Sequence, residues 1–365
     1  MYVLFILILL LTLVVVLFLR LPQFGKRPSG HRLERIHQSP NYRNGQFQNQ
    51  SPTPMLNEGH TMTGQLNKFL FQRHPRTRPQ EVLPTVKTDL KVLPSNEDLM
   101  VWFGHSSYLL QLRGYCLLVD PVFSGNAAPI RGTNKAFPGT DLYTVEDLPE
   151  IDLLLITHDH YDHLDYRTVK ALRSKVRQVI CGLGVGEHLE HWGYDAAMIV
   201  EKDWNESVRI SDDFEIHTAP ARHFSGRKLA RNTTLWLSFV IKSVERRIYL
   251  GGDSGYDTHF AELGRKYGPF DLAILENGQY NEAWSLIHML PEDVVAAAKD
   301  LNARYILPVH SAKFKLSIHP WDEPLERLTA LSRDHQLSLL TPLIGEPLFF
   351  DQLHSEQKAW WKGLR

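Results

Sequence analysis

Three histidines and two aspartates lie within six residues of the chain, between His158 and His163 in the stretch LLLITHDHYDHLD. Imidazole nitrogens and carboxylate oxygens are good ligands for a borderline divalent metal. Without a cation, such a loop would hold two carboxylates and three imidazole rings close together at an energetic cost. The pattern His-x-His-x-Asp-His therefore predicts a metal site.

Three further candidate ligands follow apolar stretches in the same way. His223 closes IHTAPARH, Asp253 follows RRIYLGG, and His310 closes RYILPVH. In layered α/β proteins, functional sites form in the loops beyond the strand ends. The combined set is large enough for two divalent cations that share one carboxylate. Its members are His158, His160, Asp162, His163, His223, Asp253 and His310.

The elements that must position these residues alternate between strands and helices. Residues 151–157 are aliphatic and almost uncharged, which is typical of a strand buried on both faces. Gly114 favours a turn between two of the leading strands. The predicted strands are 100–103, 108–112, 116–119, 151–157, 179–181, 197–200, 207–210, 214–218, 234–241, 247–250, 272–275 and 305–308. The predicted helices are 166–174, 182–192, 258–267, 291–301 and 324–335. This order favours two packed sheets covered by helices over an open doubly wound sheet, since no Gly-x-Gly-x-x-Gly follows the first strand.

The first 19 residues carry no charged side chain. At about 1.5 Å per residue, a helix of this length nearly spans a bilayer core. A cleaved signal peptide is the alternative, but the segment lacks a basic start and a small-residue cleavage site. We therefore expect an uncleaved, single-pass transmembrane anchor. Basic residues follow the segment, which places the catalytic domain in the cytoplasm. They are Arg20, Lys26, Arg27, Arg32 and Arg35.

The remaining chain suits a globular domain with a polar N-terminal extension. Of the 365 residues, 43% are hydrophobic and 22% are charged, which fits one large or two modest domains. We expect a polar connector over 20–98, either lying along the domain or mobile, a globular domain over 99–352 that contains the candidate metal ligands, and a tail over 353–365. Cys116 and Cys181 lie in apolar stretches and are expected to be buried free thiols. The net charge of −1 indicates no nucleic-acid partner.

The motifs THDHYDHLD, GGDSGY and LPVH, together with His223, resemble the metallo-β-lactamase superfamily of metal-dependent hydrolases over about residues 101–346. More narrowly, WFGHSSYLL, LLVDPVFS and YGPFDLAILENGQYNEAW resemble N-acyl phosphatidylethanolamine phospholipase D and its bacterial relatives. The resemblance implies a four-layer αββα sandwich with two zinc ions at one edge, a site that manganese or iron would also fit. It implies that Asp253 bridges both ions. The first ion would be held by His158, His160 and His223, and the second by Asp162, His163 and His310.

The ligand set predicts a hydrolytic mechanism. A water molecule bridging two cations loses a proton near neutral pH, and the resulting hydroxide is the nucleophile. Asp162 would bind metal and orient this hydroxide. His288 is a candidate substrate-side donor or leaving-group acid, or else a polar residue that leads into the helix at Pro291. His105 and Asp120 are candidate partners of the ligand imidazoles, or else structural residues.

The segment 280–289 departs more from the resemblance than the ligands do, and specificity should reside there. An apolar wall for acyl chains is offered by Tyr280, Trp284, Leu286, Ile287 and Met289, with ordinary core packing as the alternative. We expect a membrane-anchored dinuclear zinc hydrolase that cleaves a phosphodiester in a phospholipid. A lactonase or other carbonyl-ester hydrolase is the alternative enzyme. An inactive metal-binding scaffold is the alternative of another class, although all seven ligands are present. Partners are then a lipid or small-molecule substrate and the membrane, with the oligomeric state left open.

Overall fold

The computed structural model describes residues 2–72, 74–355 and 357–364. Met1 of the predicted anchor, and residues 356 and 365 of the predicted tail, lie outside these ranges. The described helices are α1 (Tyr2–Leu19), α2 (Gly30–Gln38), α3 (Met62–Phe71), α4 (Tyr166–Leu172), α5 (Gly186–His191), α6 (His259–Tyr267), α7 (Pro291–Asp300) and α8 (Glu323–Asp334).

The strands form a small hairpin and two large sheets. The hairpin consists of β1 (Tyr42–Arg43) and β2 (Gln46–Phe47). The strands of the two large sheets are, in chain order, β3 (Leu99–Trp102), β4 (Tyr108–Leu112), β5 (Tyr115–Val119), β6 (Ile151–Ile156), β7 (Val176–Gly182), β8 (Ile199–Lys202), β9 (Ser207–Ser211), β10 (Phe214–Ala219), β11 (Ser238–Ser243), β12 (Arg247–Leu250), β13 (Phe270–Glu276), β14 (Ala303–Val309), β15 (Ser338–Leu339) and β16 (Pro347–Phe349).

Each large sheet has seven strands and changes from antiparallel to parallel pairing part-way across. The first sheet has the order β16-β3-β4-β5-β6-β7-β8, with parallel pairing from β5 to β8. The second has the order β15-β14-β13-β12-β11-β10-β9, with parallel pairing from β12 to β15. Parallel strands need crossover connections, and these supply the helices on the outer faces.

Three apolar layers hold the two sheets and their helices together. The central layer joins side chains of both sheets, among them Leu155 of β6 and Ile274 of β13. The layer outside the first sheet includes Val169 of α4 and Leu189 of α5. The layer outside the second sheet is formed with α6, α7 and α8, including Val294. This arrangement is the predicted four-layer αββα sandwich.

The boundaries of one predicted strand are wrong for a reason that concerns the site. The predicted strand 234–241 begins only at Ser238 of β11. Before it, the amide N–H of Leu235 donates to the Leu183 carbonyl at 2.8 Å, and that of Leu237 donates to the Thr157 carbonyl at 3.0 Å. The stretch therefore bonds to loops of the first sheet instead of extending β11. The two sheets are thereby joined beside His158.

The polar N-terminal extension lies along the sandwich and contains two helices that its low apolar periodicity did not predict. Arg32 of α2 ion-pairs with Glu201 at 2.7 Å and with Glu190 at 2.5 Å. Phe47 of β2 is fully buried in the central apolar layer. Among the described residues, α1 is the one helix long and apolar enough to cross a membrane, and none of it is buried. Both cysteines are free, but Cys116 is only partly buried, near the start of β5.

Candidate metal centre

All seven predicted ligands meet at one edge of the sandwich, between the two sheets. The loop after β6 carries His158, His160, Asp162 and His163. The loops after β10, β12 and β14 carry the other three ligands, each just beyond a strand end. They are His223, Asp253 and His310.

The first ligand group consists of three histidines and one oxygen of Asp253. His160 Nδ1 lies 2.9 Å from His158 Nε2 and 3.2 Å from His223 Nε2. Asp253 Oδ2 lies 3.7 Å from the Nε2 atoms of both His158 and His223. These four ligand atoms all lie within 4.8 Å of one another, so they could surround a single cation.

The second ligand group shares Asp253 through its other oxygen. Asp253 Oδ1 lies 3.2 Å from His163 Nε2 and 3.1 Å from His310 Nδ1. Asp162 Oδ2 completes the group at 3.5 Å from His163 Nε2. The two oxygens of Asp253 therefore face different ligand groups, as a bridging carboxylate requires.

Buried ligand atoms without hydrogen-bond partners provide a test of whether cations fit here. Within the described ranges, His163 Nε2, His310 Nε2 and Asp253 Oδ1 are buried and make no hydrogen bond of good geometry. Leaving a buried polar atom unpaired costs about 1–3 kcal/mol, so such atoms call for a partner. Nitrogen and carboxylate oxygen donors suit a borderline divalent cation. The residues present thus fit two divalent ions.

A comparison with protein families identifies the domain that carries these residues. The model of the beta-lactamase superfamily domain matches residues 115–311. The chain belongs to the metallo-β-lactamase superfamily.

Several relatives of this superfamily member extend beyond the matched domain. An uncharacterized protein of Mycobacterium bovis is 40% identical over 334 residues, covering 89% of this chain and 88% of the relative. The N-acyl-phosphatidylethanolamine-hydrolyzing phospholipase D 1 of Caenorhabditis elegans is 30% identical over 267 residues, covering 67% of this chain and 74% of the relative. A solved metallo hydrolase from Ignicoccus hospitalis shares the fold, with a TM-score of 0.53 and 18% identity over 69% of this chain and 97% of that one. The chain is a metal-dependent hydrolase of the metallo-β-lactamase superfamily.

In this hydrolase, Asp120 connects the ligand histidines of both groups. Its Oδ2 accepts from His163 Nδ1 at 2.7 Å and from the Thr157 hydroxyl at 2.5 Å. The Thr157 hydroxyl also lies 3.0 Å from His158 Nδ1. Such partners fix the orientation of ligand rings and raise their basicity. The structure therefore places the candidate Asp120 where it can orient His163 directly and His158 through Thr157.

His105 contacts the second ligand group. Its Nε2 lies 2.9 Å from Asp162 Oδ2, and its ring packs 4.2 Å from that of His310. His105 and His310 both have positive φ, at 52° and 67°. Their backbones are linked, because the His310 N–H donates to the His105 carbonyl at 2.9 Å. Strained backbone of this kind is retained where the surrounding structure enforces it, commonly at functional sites.

Burial and neighbouring charges give the ligands different pKa values. Burial lowers the pKa of His158 and of His223 well below the ordinary value, which favours neutral imidazoles. Burial opposes a charge on His163 as well, but the carboxylates of Asp253 and Asp162 outweigh it and raise the pKa of His163 well above its ordinary value. Burial raises the pKa of Asp253 to about 6. The second group therefore concentrates the charge of the site.

A cavity of about 280 Å³ opens onto the metal ligands. Its polar end is formed by ligands of both groups and by His288. Most of the remaining wall is apolar, including residues from the N-terminal extension that no sequence signal assigned to the site. The lining residues are Met55, Leu56, Met62, Gln65, His160, Asp162, Phe224, Asp253, Gln279, Trp284, Ile287, His288, His310 and Leu316.

His288 lies between the two ligand groups at the edge of this cavity. Its ring centroid is 5.1 Å from that of His223 and 5.3 Å from that of His310. Its Nδ1 lies at hydrogen-bond distance, 2.9 Å, from Glu276 Oε2, while the Met289 N–H donates to Glu276 Oε1 at 2.7 Å. The sequence reasoning missed Glu276, although a buried carboxylate that ends the apolar strand β13 was a usable signal.

The five candidate wall residues fall into two sets in the structure. Trp284 and Ile287 line the cavity, whereas Leu286 and Met289 are not part of its lining. Tyr280 does not belong to the lining, since its hydroxyl donates to Glu323 at 3.0 Å and its ring stacks 4.7 Å from that of His319. Tyr280 therefore packs as a core residue, and the apolar wall is supplied by other side chains.

Two further residues that hold the ligand loops were not predicted. Asp159, within the histidine cluster, accepts from His188 Nε2 at 3.2 Å, from the Thr234 hydroxyl at 2.9 Å and from the Gly226 N–H at 2.7 Å. The Ser106 hydroxyl lies 2.9 Å from His310 Nδ1. Asp159 thus connects the loop of His158 to that of His223. Its position inside the motif was the only sequence signal for this role.

Proposed function

We propose that the chain is a membrane-anchored dinuclear zinc hydrolase that cleaves a phosphodiester in a phospholipid. The observation that carries this proposal is the cavity at the metal centre, which is polar at one end and mainly apolar elsewhere. A phospholipid has the same division, with a charged phosphodiester beside apolar acyl chains. The name of the Caenorhabditis elegans relative, which describes the hydrolysis of N-acyl-phosphatidylethanolamine, supports the same substrate class.

The ligand positions support a division of roles within the centre. His158, His160 and His223 would hold the first zinc ion, and Asp162, His163 and His310 the second, with Asp253 between them. When bound, the two ions would lower the pKa of a water molecule and neutralise charge on the phosphate. Manganese or iron would also suit these ligands.

The protein's own residues would orient the substrate and manage protons. Because Glu276 engages His288 Nδ1, the other ring nitrogen of His288 is free to bond a substrate oxygen or to protonate a leaving group. Asp162 lines the cavity and is held by His105 at 2.9 Å, so it is placed to orient an attacking water. Trp284, Ile287 and Phe224 would contact acyl chains.

Two apolar helices support membrane attachment. All of α1 is exposed, and its composition would allow it to span a bilayer. In α3, Leu66, Phe69 and Leu70 are each more than half exposed, whereas Met62 lines the cavity. Exposed apolar patches of this kind mark membrane or partner contacts. We propose that α3 meets the lipid surface beside the cavity mouth, with α1 as a single-pass anchor and the domain on the cytoplasmic side.

A substrate panel tests the proposed reaction. Full-length protein in mixed micelles, supplied with zinc, manganese or iron, is offered glycerophospholipids, including N-acylated phosphatidylethanolamine, and acyl lactones. We expect release of a phosphatidic-acid-type product faster than lactone opening, and no product with Asp253→Asn. Lactone opening without any phosphodiester cleavage would replace this proposal with the lactonase alternative.

A matched pair of variants tests the role of α3. Phe69→Ser combined with Leu70→Ser should lower turnover of lipid in vesicles by roughly 10²-fold or more, because each serine removes about 1.5–3 kcal/mol of apolar burial in the lipid. Turnover of a short-chain phosphodiester in solution should change little. Val244→Ser, an exposed apolar residue just after β11, is the control. Equal losses on both substrates would show that α3 supports folding instead of lipid access.

A further inference from the structure

A second cavity, of about 80 Å³, lies where the chain leaves α1. Gln23, four residues beyond the end of α1, forms part of its wall. Three arginines also line it: Arg131, Arg167 and Arg227. Within the described ranges, none of the three lies within 4.0 Å of a carboxylate oxygen as an ion pair. The cavity therefore gathers positive charge that the protein does not neutralise by direct pairing.

Arg227 is the buried member of this group, with 4% of its surface exposed. Its guanidinium donates to three backbone carbonyls, those of Asp159 at 2.6 Å, Leu164 at 2.8 Å and Gln23 at 2.7 Å. It lies 4.3 Å from the centre of the Tyr161 ring. Carbonyl oxygens satisfy its N–H groups but supply no formal negative charge. The carboxylates of Asp159, Asp162 and Asp165 act on the guanidinium only from beyond ion-pair distance, and burial still lowers the pKa of Arg227, so the buried cation remains costly. An anion in the adjacent cavity would reduce that cost.

Asp165 is the carboxylate in the cavity wall, and its oxygens are already engaged. One accepts from the Ser124 N–H at 3.1 Å and from the Thr168 hydroxyl at 2.5 Å, and the other accepts from the Arg167 N–H at 3.2 Å. Asp165 therefore serves to shape the loop between the first sheet and α4. It leaves the side chains of Arg131 and Arg167 exposed and free to bind a ligand.

We infer that this cavity is a binding site for a phosphate group, separate from the metal centre. Arginine forks match phosphate oxygens in geometry and charge, and the cavity is suited to a group of that size rather than to a whole lipid. The phosphate could belong to the headgroup of a lipid beside α1 or to a free phosphate compound. The lipid source rests on the membrane anchor proposed above, whereas the phosphate site itself does not.

The site also contacts the metal-binding loop. Arg227 binds the carbonyl oxygens of Asp159 and Leu164, which lie on either side of Asp162 and His163. Tyr161, which lines the cavity, stands between the ligands His160 and Asp162 in sequence. A bound phosphate would therefore stabilise the loop that carries four of the seven ligands.

Thermal unfolding of the zinc-loaded full-length protein in neutral detergent tests this site. The probes are inorganic phosphate and phosphatidic acid added to the micelles. Near saturation, a ligand that binds only the folded state should raise the midpoint by roughly 3–6 °C. The double variant Arg131→Gln, Arg167→Gln should lose this shift, and Arg177→Gln, Arg209→Gln, which removes two exposed arginines elsewhere, should keep it.

The probes separate the two sources of phosphate. A shift with phosphatidic acid alone assigns the site to a lipid headgroup, and a shift with both probes assigns it to phosphate in general. Equal shifts in the wild type and the Arg131→Gln, Arg167→Gln variant would mean that phosphate binds elsewhere, for example at the metal centre, and would overturn the inference. The absence of any shift would overturn it as well. Because the readout is binding, these outcomes do not depend on which bond the metal centre cleaves.

Discussion

In the first candidate group one oxygen of Asp253 lies 3.7 Å from both His158 and His223. In the second group its other oxygen lies 3.2 Å from His163 and 3.1 Å from His310, and Asp162 adds a second carboxylate 3.5 Å from His163. The residues that hydrogen-bond to the ligand side chains also differ between the two groups. His158 and His223 bond to a hydroxyl and a backbone carbonyl, both neutral. His163 and Asp162 bond to ionisable partners, Asp120 and His105.

This difference would let one carboxylate serve two unlike candidate sites. Burial lowers the pKa of His158 and of His223, so these imidazoles are neutral and Asp253 is the carboxylate of the first group. The second group has Asp162 in addition, and the carboxylates of Asp253 and Asp162 outweigh burial and raise the pKa of His163, a ring that a bound cation would require to be neutral. Loss of a single carboxylate should therefore affect the second group more than the first, unless that carboxylate is the shared Asp253.

The largest effect is expected from Asp253→Ala, which removes an oxygen from both groups. Metal content should fall from two ions per chain toward none, and turnover should fall by roughly 10⁴-fold or more, because both charge stabilisation and water activation are lost. Elemental analysis and turnover of the purified variant measure this. Asp212→Ala, which removes a fully exposed carboxylate, is the control. Retention of two ions in Asp253→Ala would show that Asp253 does not bridge.

Asp162→Asn should affect the second group alone. We expect a folded protein that keeps about one ion per chain and loses roughly 10³-fold in turnover, because the carboxylate both binds metal and orients water. His160→Gln should instead remove the ion of the first group. Near-normal turnover with Asp162→Asn would remove Asp162 from the catalytic residues.

His288 lies beside both groups and forms a further cluster with Glu276, Asp253 and His310, so its variant tests whether it handles substrate or binds metal. His288→Ala should retain two ions and lower turnover by about 10²-fold if the ring protonates a leaving group. The same measurements of metal content and turnover apply. Loss of metal from this variant would instead make His288 a ligand.

The smallest effects are expected when residues that hydrogen-bond to the ligand histidines are replaced. A matched pair of such variants compares the two groups. Asp120→Asn should weaken binding of the second ion by roughly 10- to 100-fold, as is typical for partners of ligand histidines. Thr157→Val removes the hydroxyl that contacts His158 and should weaken binding of the first ion by less than ten-fold. Metal affinity from competition with a chelator measures both. Equal losses would contradict the difference in charge between the groups.

The sandwich, and the meeting of the seven candidate ligands at one edge of it, could be predicted because their signals are local. The aliphatic run before His158 defines β6, and each other ligand follows an apolar strand at the same edge. The candidates His105 and Asp120 also lie beside ligands in the structure. The assignment of each ligand to one of the two ions, by contrast, rested on the family resemblance. Sequence spacing cannot make this assignment, because the ligands of the two ions are interleaved along the chain.

The rest of the site depends on contacts between residues far apart in sequence. Glu276 meets His288 over 12 residues, and Arg227 meets Gln23 over 204 residues. The apolar wall includes Met55 and Met62 from a segment without clear periodicity, whereas Tyr280, expected there, packs against His319. The helix α2 escaped prediction because its position depends on ion pairs of Arg32 with a distant part of the chain.

Hydrolysis of a glycerophospholipid in H₂¹⁸O, followed by mass spectrometry of both products, tests the proposed reaction most directly. Attack at phosphorus should place one ¹⁸O atom in the phosphate of the phosphatidic-acid-type product and none in a fatty acid. An ¹⁸O label in a fatty-acid carboxylate, with the phosphodiester intact, would show attack at a carbonyl carbon and contradict the phosphodiesterase assignment.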